Sequence, residues 1–339
     1  MPVDLSQLAS LHDLLFEIPL KVRQGHRFQP TGFPDLGAAE FDTPSGRSLL
    51  VESAQSMANR LEAVCWDEST NDLVESMRGL SYVKVNDSSG AFLTSSVLEA
   101  HRLNSAYIEK AQQPGCHASI ELEIGVTKNR PINRSKFVKT ILKYDAGSLL
   151  HGVFLESMDG RLRIARAISA FIEADGVKTA ASGGVKNDRV QATKDEAAGR
   201  TAKEGFGNLP FPRDEYTAEE ITLYASIDLA QIRGYGLDKD ATEMLILLAL
   251  FKLRSFVDGP MRLRTACSFE LRTNGEIASK NVPTFKLPSS TELIGEKDTQ
   301  AGWRGHLPDL IKKLTEDKKA SDQEAQKEKM RVTTVTFTS

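Results

Sequence analysis

Cysteine is scarce: Cys65, Cys116 and Cys267 are the three in 339 residues. Scattered and odd in number, they argue against a disulfide framework and fit a reducing compartment. They read as small buried hydrophobes. Long apolar runs are missing as well. The longest, Met244 to Phe251, has eight residues, against the roughly 20 that a membrane-spanning helix needs. The opening stretch MPVDLSQLASLHDLL carries Asp4 and Asp13 and no basic cluster, unlike a secretory signal. A cytoplasmic protein with no membrane partner is expected.

Catalytic and metal motifs are equally thin. There is no CxxC or HExxH, and Cys116-His117 is an isolated pair, so no metal site is expected. Gly183-Gly184-Val185-Lys186 lacks the upstream glycine of a nucleotide-triphosphate loop and has Asn187 in place of its hydroxyl. A GxSxG elbow is absent, and Ser81 to Lys84 forms the one SxxK, in a segment patterned like a strand. No cofactor and no enzymatic activity are expected.

Neither charge sign dominates: 43 Lys and Arg face 46 Asp and Glu, a net charge of -3. The total hides an asymmetry. Lys128 to Arg213 holds 16 basic and 9 acidic residues, leaving -10 for the rest. Such a block is either a solvated face or a surface for phosphates. With 40% apolar and 26% charged residues, the chain has ordinary globular composition.

Leu14 to Gln24 alternates toward its end and predicts a strand, which Pro19 makes an edge or a bulged one. GHRFQPTGFPDLG follows as a fixed, basic, aromatic loop. Ser48 to Trp66 has Leu50, Met57, Leu61 and Val64 at helical spacing, leaving Ser53, Gln55, Ser56, Asn59 and Arg60 on other arcs. Thr94 to Ala111 predicts a second helix and Arg161 to Ala174 a third. The third carries Arg161, Arg163 and Arg166 in its first half, against its dipole. A bound anion or carboxylates of the protein can compensate them.

Some forty residues after Asp175 show little apolar periodicity and predict a long projecting element. A strand in ITLYASIDLAQIRGYG, a buried helix over Ala241 to Val257 and a strand over Leu263 to Arg272 then close a sheet. The order fits an α+β fold with a ferredoxin-like or RNA-recognition-type core, helices on one face of an antiparallel sheet and a large insertion. That core is expected over 1–283. A charged helix, Leu307 to Met330, and RVTTVTF, able to pair at a sheet edge, belong to 284–339.

Binding residues stand out more than catalytic ones. Lys21, Arg23, Gln24, His26, Arg27 and Phe28 can offer cations and a ring to phosphate and base. Gly183, Gly184, Lys186, Asn187 and Arg189 can present backbone N–H groups beside a cation. Phe28, Phe33, Phe206 and Phe211 sit in glycine-rich loops, either as stacking surfaces or as core anchors. Asp35 and Asp42 in principle serve metal-assisted cleavage, but unpaired aspartates are usually turn residues.

The blocks RFQPTGFPDLGAA, LLVESAQSMANRLEAVCW, TSSVLEAHRLNS, ASGGVKNDRV, EGFGNLPFPRDEYTAE and IDLAQIRGYGL resemble the CRISPR-associated backbone (RAMP) subunit of type I-G effector complexes, formerly I-U. The resemblance spans about Leu14 to Arg272 and weakens after Thr284. It implies a prokaryotic, non-catalytic subunit that polymerises along CRISPR guide RNA and presents it to target DNA. It further implies head-to-tail contact with other copies, a large subunit, a handle-processing subunit and a helicase-nuclease recruited later. By the same resemblance Ser53, Gln55, Ser56, Asn59 and Arg60 lie against RNA, and Gly183 to Phe211 forms a thumb-like loop. A pI near 6.1 is unusual for a protein that coats RNA. The alternatives are a metal-dependent nuclease using Asp35, Asp42 or His26, and a self-assembling structural protein.

Overall fold

A computed structural model of the chain describes residues 2–33, 37–44, 46–112, 115–127, 130–158, 160–189, 201, 207–273, 275–298, 302–315 and 330–338. In chain order the elements that matter begin with strands β1 (Asp13–Val22), β2 (Glu40–Thr43) and β3 (Gly46–Glu52), then helix α1 (Ala54–Ala63). Strands β4 (Tyr82–Asn86) and β5 (Phe92–Ser95) and helices α2 (Arg134–Tyr144) and α3 (Ala146–His151) come next. Strands β6 (Ile168–Asp175), β7 (Lys178–Lys186), β8 (Leu209–Thr217) and β9 (Glu220–Asp228) follow, then α4 (Lys239–Asp258), β10 (Arg262–Arg264) and β11 (Cys267–Leu271). Helix α5 (His306–Thr315) and strand β12 (Val332–Thr336) end the chain.

Seven strands form one sheet in the order β10-β11-β1-β9-β6-β3-β2, every neighbour antiparallel. Within it β11-β1-β9-β6, joined through α1 and α4, has the β-α-β-β-α-β connectivity of a ferredoxin-like core. The alternation of the strands fixes which face is packed. Leu14, Phe16, Ile18 and Leu20 of β1, Ile168, Ala170, Ile172 and Ala174 of β6, and Ile221, Leu223, Ala225 and Ile227 of β9 are all buried on one side. Helices α1 and α3 pack against β6 there, and α4 packs on α1. Leu245, Leu247, Leu248 and Leu250 of α4 are 1% exposed or less, each contributing about 1.5–3 kcal/mol by leaving water.

Several sequence expectations fail locally. Pro19 lies inside the sheet: it stands opposite Thr222 of β9 with no bulge, and on its other side its carbonyl accepts from the Arg272 N–H at 2.9 Å, just past the last paired residues Leu20 and Leu271 where β11 ends. Its missing N–H therefore falls where no ladder bond is required. The stretch before Ser53 is strand, because Leu49 and Val51 alternate into the core, and the helix starts at Ala54 with Ser53 as its cap, accepting from the Ser56 N–H.

Arg161 to Ala174 is no helix: Arg163–Ile164 pairs with Val153–Phe154, and Ile168–Asp175 is a strand bonded on both edges. Its apolar residues fit a period of two as well as one helical face. Thr94 to Ala111 is not one helix: Thr94 and Ser95 end β5, and only short helical turns, Arg102–Asn104 and Ala106–Glu109, follow. Glu99 accepts from the Thr94 hydroxyl at 2.7 Å and the Ser105 hydroxyl at 2.9 Å. Arg102, at φ 52°, turns back to bind Glu62. The expected 307–330 helix is seen as α5 from His306 to Thr315, and 316–329 lie outside the described residues. RVTTVTF does pair, as β12 running parallel to β4 at the edge of a three-stranded sheet.

All three cysteines are buried and free. Burial pushes the Cys267 thiol up to about 11, which keeps it a protonated packing group.

Candidate nucleic-acid interface

A groove of about 500 Å³ opens where four segments meet. Gln29, Pro30, Thr31 and Gly32 of the loop after β1 form one wall with Gly37 and Ala38, and Arg213, Asp214 and Tyr216 of β8 form another. Arg264, the last residue of β10, closes its end. Backbone pairing locks the loop to the ribbon: Phe28 and Tyr216 exchange two N–H···O bonds of 2.9 Å, and the Gln29 N–H donates to Ala266 at 2.8 Å. Gly32 is required here, since a Cβ would come within 2.5 Å of the Gly37 carbonyl oxygen.

Two buried carboxylates organise the cations of this region. Glu52, at the end of β3, accepts from Arg60 Nε at 2.9 Å, from Arg264 and from the Ser56 hydroxyl. Arg264 Nη1 also donates to the carbonyls of Gln29 and Val51, each at 3.2 Å, and so ties the loop to β3. Glu215, on β8, meets Arg27 at 3.3 Å and also Arg213. Each carboxylate is shared by two guanidiniums. Each cluster therefore keeps one positive charge that its own acid does not cancel, which is the electrostatic condition for holding a phosphate. Burial lowers the Arg60 pKa from its ordinary value, which leaves it charged at neutral pH. Tyr216 is pushed up to about 12 by burial and by Glu40, to which its hydroxyl donates, so it stays a neutral donor.

The residues expected from sequence divide between this region and others. Arg27 lies beside the groove, held by Glu215 and at 3.4 Å from the Ser182 hydroxyl. Arg23, Gln24 and His26 are exposed in the preceding turn, whereas Lys21 sits on the sheet, 3.0 Å from Glu270. Gln55 and Asn59 point outward from α1, Ser53 and Ser56 are half-buried, and Arg166 Nη1 donates to the Ala54 carbonyl at 3.2 Å.

Four expectations need correcting. Phe28 is fully buried, edge-on to Phe269 at 5.7 Å, and cannot stack on a base. Arg60 is engaged with Glu52 and with the Leu263 carbonyl at 2.6 Å, so its role is to hold α1 in place. Arg161 and Arg163 lie elsewhere: Arg161 donates to the Arg130 carbonyl at 2.8 Å, and the Arg163 carbonyl accepts from Arg134. Gly183 and Gly184 are mid-strand, opposite Pro212 and Phe211, and form no phosphate-cradling loop.

Lys186, Asn187 and Arg189 sit at the far end of the β7–β8 ribbon, where Lys186 meets Asp188 at 3.2 Å. Nine paired residues place that end about 30 Å from the base. Of the expected thumb, 190–200 and 202–206 lie outside the described residues, as do the side chains of Phe33 and Phe211, the whole of Phe206, and Asp35. Asp42 is exposed on β2 opposite Arg47. Sequence reasoning passed over Arg264, Arg213 and the two organising glutamates. Arg264 belongs to a segment patterned as a plain strand, and a buried acid leaves no mark in sequence.

The open face of the sheet has the opposite character. RNA-recognition modules commonly stack bases on aromatic residues of such a face, and here Phe171 and Tyr224 do stack, at 5.1 Å and 20°. Around them lie Glu17, Glu173, Asp175, Glu220 and Glu270, with Lys21, Arg272 and Lys280 each paired to one of these acids. That field opposes a polyanion. Among the described residues, no helix is long and apolar enough to cross a membrane, and no three His, Cys, Asp or Glu side chains are grouped to hold a metal ion.

Residues 14–179 match the family model described as CRISPR-associated protein GSU0053. The matched segment runs from β1 through the loop and α1 to β6, just under half of the chain. No curated protein matches the sequence. Among solved structures, a chain of "CRISPR RNA-guided surveillance complex, pre-nicking" is 12% identical, with 76% of each chain covered and a TM-score of 0.38. Thermofilum pendens Csc2 is 7% identical, with 85% of this chain and 73% of that one covered and a TM-score of 0.31. Scores this low do not establish a shared fold.

Proposed function

We propose that the chain is a non-catalytic backbone subunit of a type I-G CRISPR surveillance complex, gripping guide RNA and presenting it for pairing with target DNA. The observation that carries the reading is the match of residues 14–179 to a CRISPR-associated family, because that segment contributes the loop, β3 and α1 around the groove. Arg27, Arg213 and Arg264 supply the physical means: fixed guanidiniums hold phosphates without reading sequence, which base pairing of the guide then provides. Arg23, Gln24, His26, Gln55 and Asn59 extend the track as exposed donors, and the ribbon from β7 to β8 is the thumb-like element. Successive copies bind head to tail along the guide, a heterologous contact that forms a filament unless something caps it. The large subunit, the handle-processing subunit and a later helicase-nuclease complete the assembly.

The test is purification with and without a transcribed CRISPR array. A nucleic-acid absorbance ratio, a mass rising with array length and regularly spaced nuclease protection are expected. Protein that stays RNA-free with the array and its partner subunits present sinks the reading. Turnover of labelled RNA with Mg, abolished by Asp35→Ala or Asp42→Ala, would make the chain a nuclease instead.

A further inference from the structure

The open sheet face combines features that the RNA groove does not use. The register places Glu17, Tyr224 and Phe171 in one row across β1, β9 and β6, with Pro19, Thr222 and Glu173 in the next. Asp175 and Glu220 lie beyond, on the same side. Both rings are partly exposed and stacked on each other, so each keeps one outer face free for a cation. Among the described residues Glu17, Glu220 and Glu270 each have a cation and Glu173 has none, and Asp175 is met by the Ser48 hydroxyl. Burial and the neighbouring Asp175 raise the Glu173 pKa, the mark of two carboxylates held close without a counter-charge.

We propose that this face docks an arginine-bearing segment of a partner protein, its guanidinium laid on an outer face of the stacked Phe171–Tyr224 rings and bonded to the neighbouring Glu173 carboxylate, with Asp175 adding to the field. Charge complementarity selects a cation and rejects nucleic acid. The combination selects arginine over lysine: a guanidinium is planar, weakly hydrated, stacks on aromatic faces and bonds carboxylates in pairs, whereas an ammonium is a strongly hydrated point charge.

The test titrates the full chain with fluorescein-labelled hexa-arginine and hexa-lysine peptides and reads anisotropy, with binding of a guide-length RNA measured in parallel. The arginine peptide should bind about tenfold more tightly than the lysine peptide, the scale of a desolvated cation–π contact. Glu173→Gln and Tyr224→Leu should each reduce that preference several-fold and leave RNA affinity unchanged, so failure here is separable from failure of the RNA reading. Circular dichroism confirms that both variants fold, and Glu173→Lys is a third, surface-polar probe. Equal affinity for the two peptides overturns the proposal, as does a preference untouched by all three variants. Self-association of the chain that Glu173→Lys abolishes would assign the face to a second copy and overturn it too.

Discussion

At the scale of single residues, the same residue types act in opposite ways according to burial. Phe28 and Arg27 are neighbours, yet one is core and the other surface. Phe28→Ala should cost about 3–5 kcal/mol of unfolding free energy, the range for large-to-small changes at a fully buried ring. Urea denaturation measures it, and a loss below 1 kcal/mol would return the ring to the surface.

Arg102 is a stricter case. Its Nε and Nη2 bind Glu62 at 2.6 and 2.7 Å, with both side chains under 10% exposed. Arg102→Ala leaves Glu62 buried and uncompensated, for an expected loss of about 3–5 kcal/mol. The double variant Glu62→Leu with Arg102→Met should recover much of that loss.

His151 is wholly buried, and among the described residues neither ring nitrogen has a hydrogen-bond partner. Burial, with Lys252, Arg102 and Arg166 near it, holds its pKa well below the ordinary 6.5. The unfolded chain therefore takes up a proton near pH 6.5 that the folded chain refuses. This contribution to stability is complete above that pH and is lost as pH falls below it, by up to about 1.4 kcal/mol per unit. Glu62 and Asp145, both raised by burial, act in the opposite sense. The decisive quantity is consequently the difference between wild type and His151→Leu. Between pH 6.5 and 5 the wild type should lose stability faster, by close to one proton, in urea melts.

At the scale of elements, what could be read from the sequence was whatever carried an unambiguous period. Strand β1, helix α4, strand β9 and the closing strand were all legible, and with them the ferredoxin-like order. Ile168 to Asp175 was not, because Ile168 and Ile172 serve an i, i+4 helical stripe as well as an alternating strand, and only pairing with β9 and β3 decides between them. Thr94 to Ala111 misled for another reason: the Thr94 hydroxyl donates to Glu99 at the end of β5, and Ser105 caps only the one-turn helix Ala106–Glu109. At the site, the exposed loop cations were legible as types, whereas the sharing of Glu215 by Arg27 with Arg213, and of Glu52 by Arg264 with Arg60, depends on the Arg27 and Arg264 contacts, which cross roughly 190 to 210 positions of chain.

The C-terminal strand gives this scale its own prediction. β12 covers one edge of β4, and beyond it the Phe337 N–H donates to the Asn86 carbonyl at 2.9 Å while its ring packs on Tyr107 at 5.1 Å. Removing residues 331–339 bares that edge. Amide hydrogen exchange over 82–86 should accelerate while exchange in α4 holds, since that helix packs mainly on α5 and α1. Equal acceleration in both would mean that the strand supports the whole fold.

At the scale of the molecule, a net charge of -3 is the sum of two separated fields, which resolves the conflict between an acidic pI and a polyanionic partner. Cations gather in pairs on Glu52 and Glu215 beside the groove, and acids gather around Phe171 and Tyr224 on the open sheet face. Binding to RNA should therefore respond to where a charge is removed, and hardly at all to the total. Each phosphate neutralised on a single strand contributes about -0.7 to the slope of log affinity against log salt. Arg213→Ala should flatten that slope by about this amount, and Arg27→Ala likewise, each leaving the other guanidinium to satisfy Glu215. Glu17→Gln and Glu220→Gln change the net charge by one unit each in the direction that favours RNA, and should leave the slope where it was. Filter binding of a guide-length RNA between 50 and 300 mM salt, on the order of the range over which such slopes are resolved, separates the two outcomes. If the acidic-face variants raise affinity as much as the arginine variants lower it, the fields are not separated, and the groove has no claim to be the RNA track.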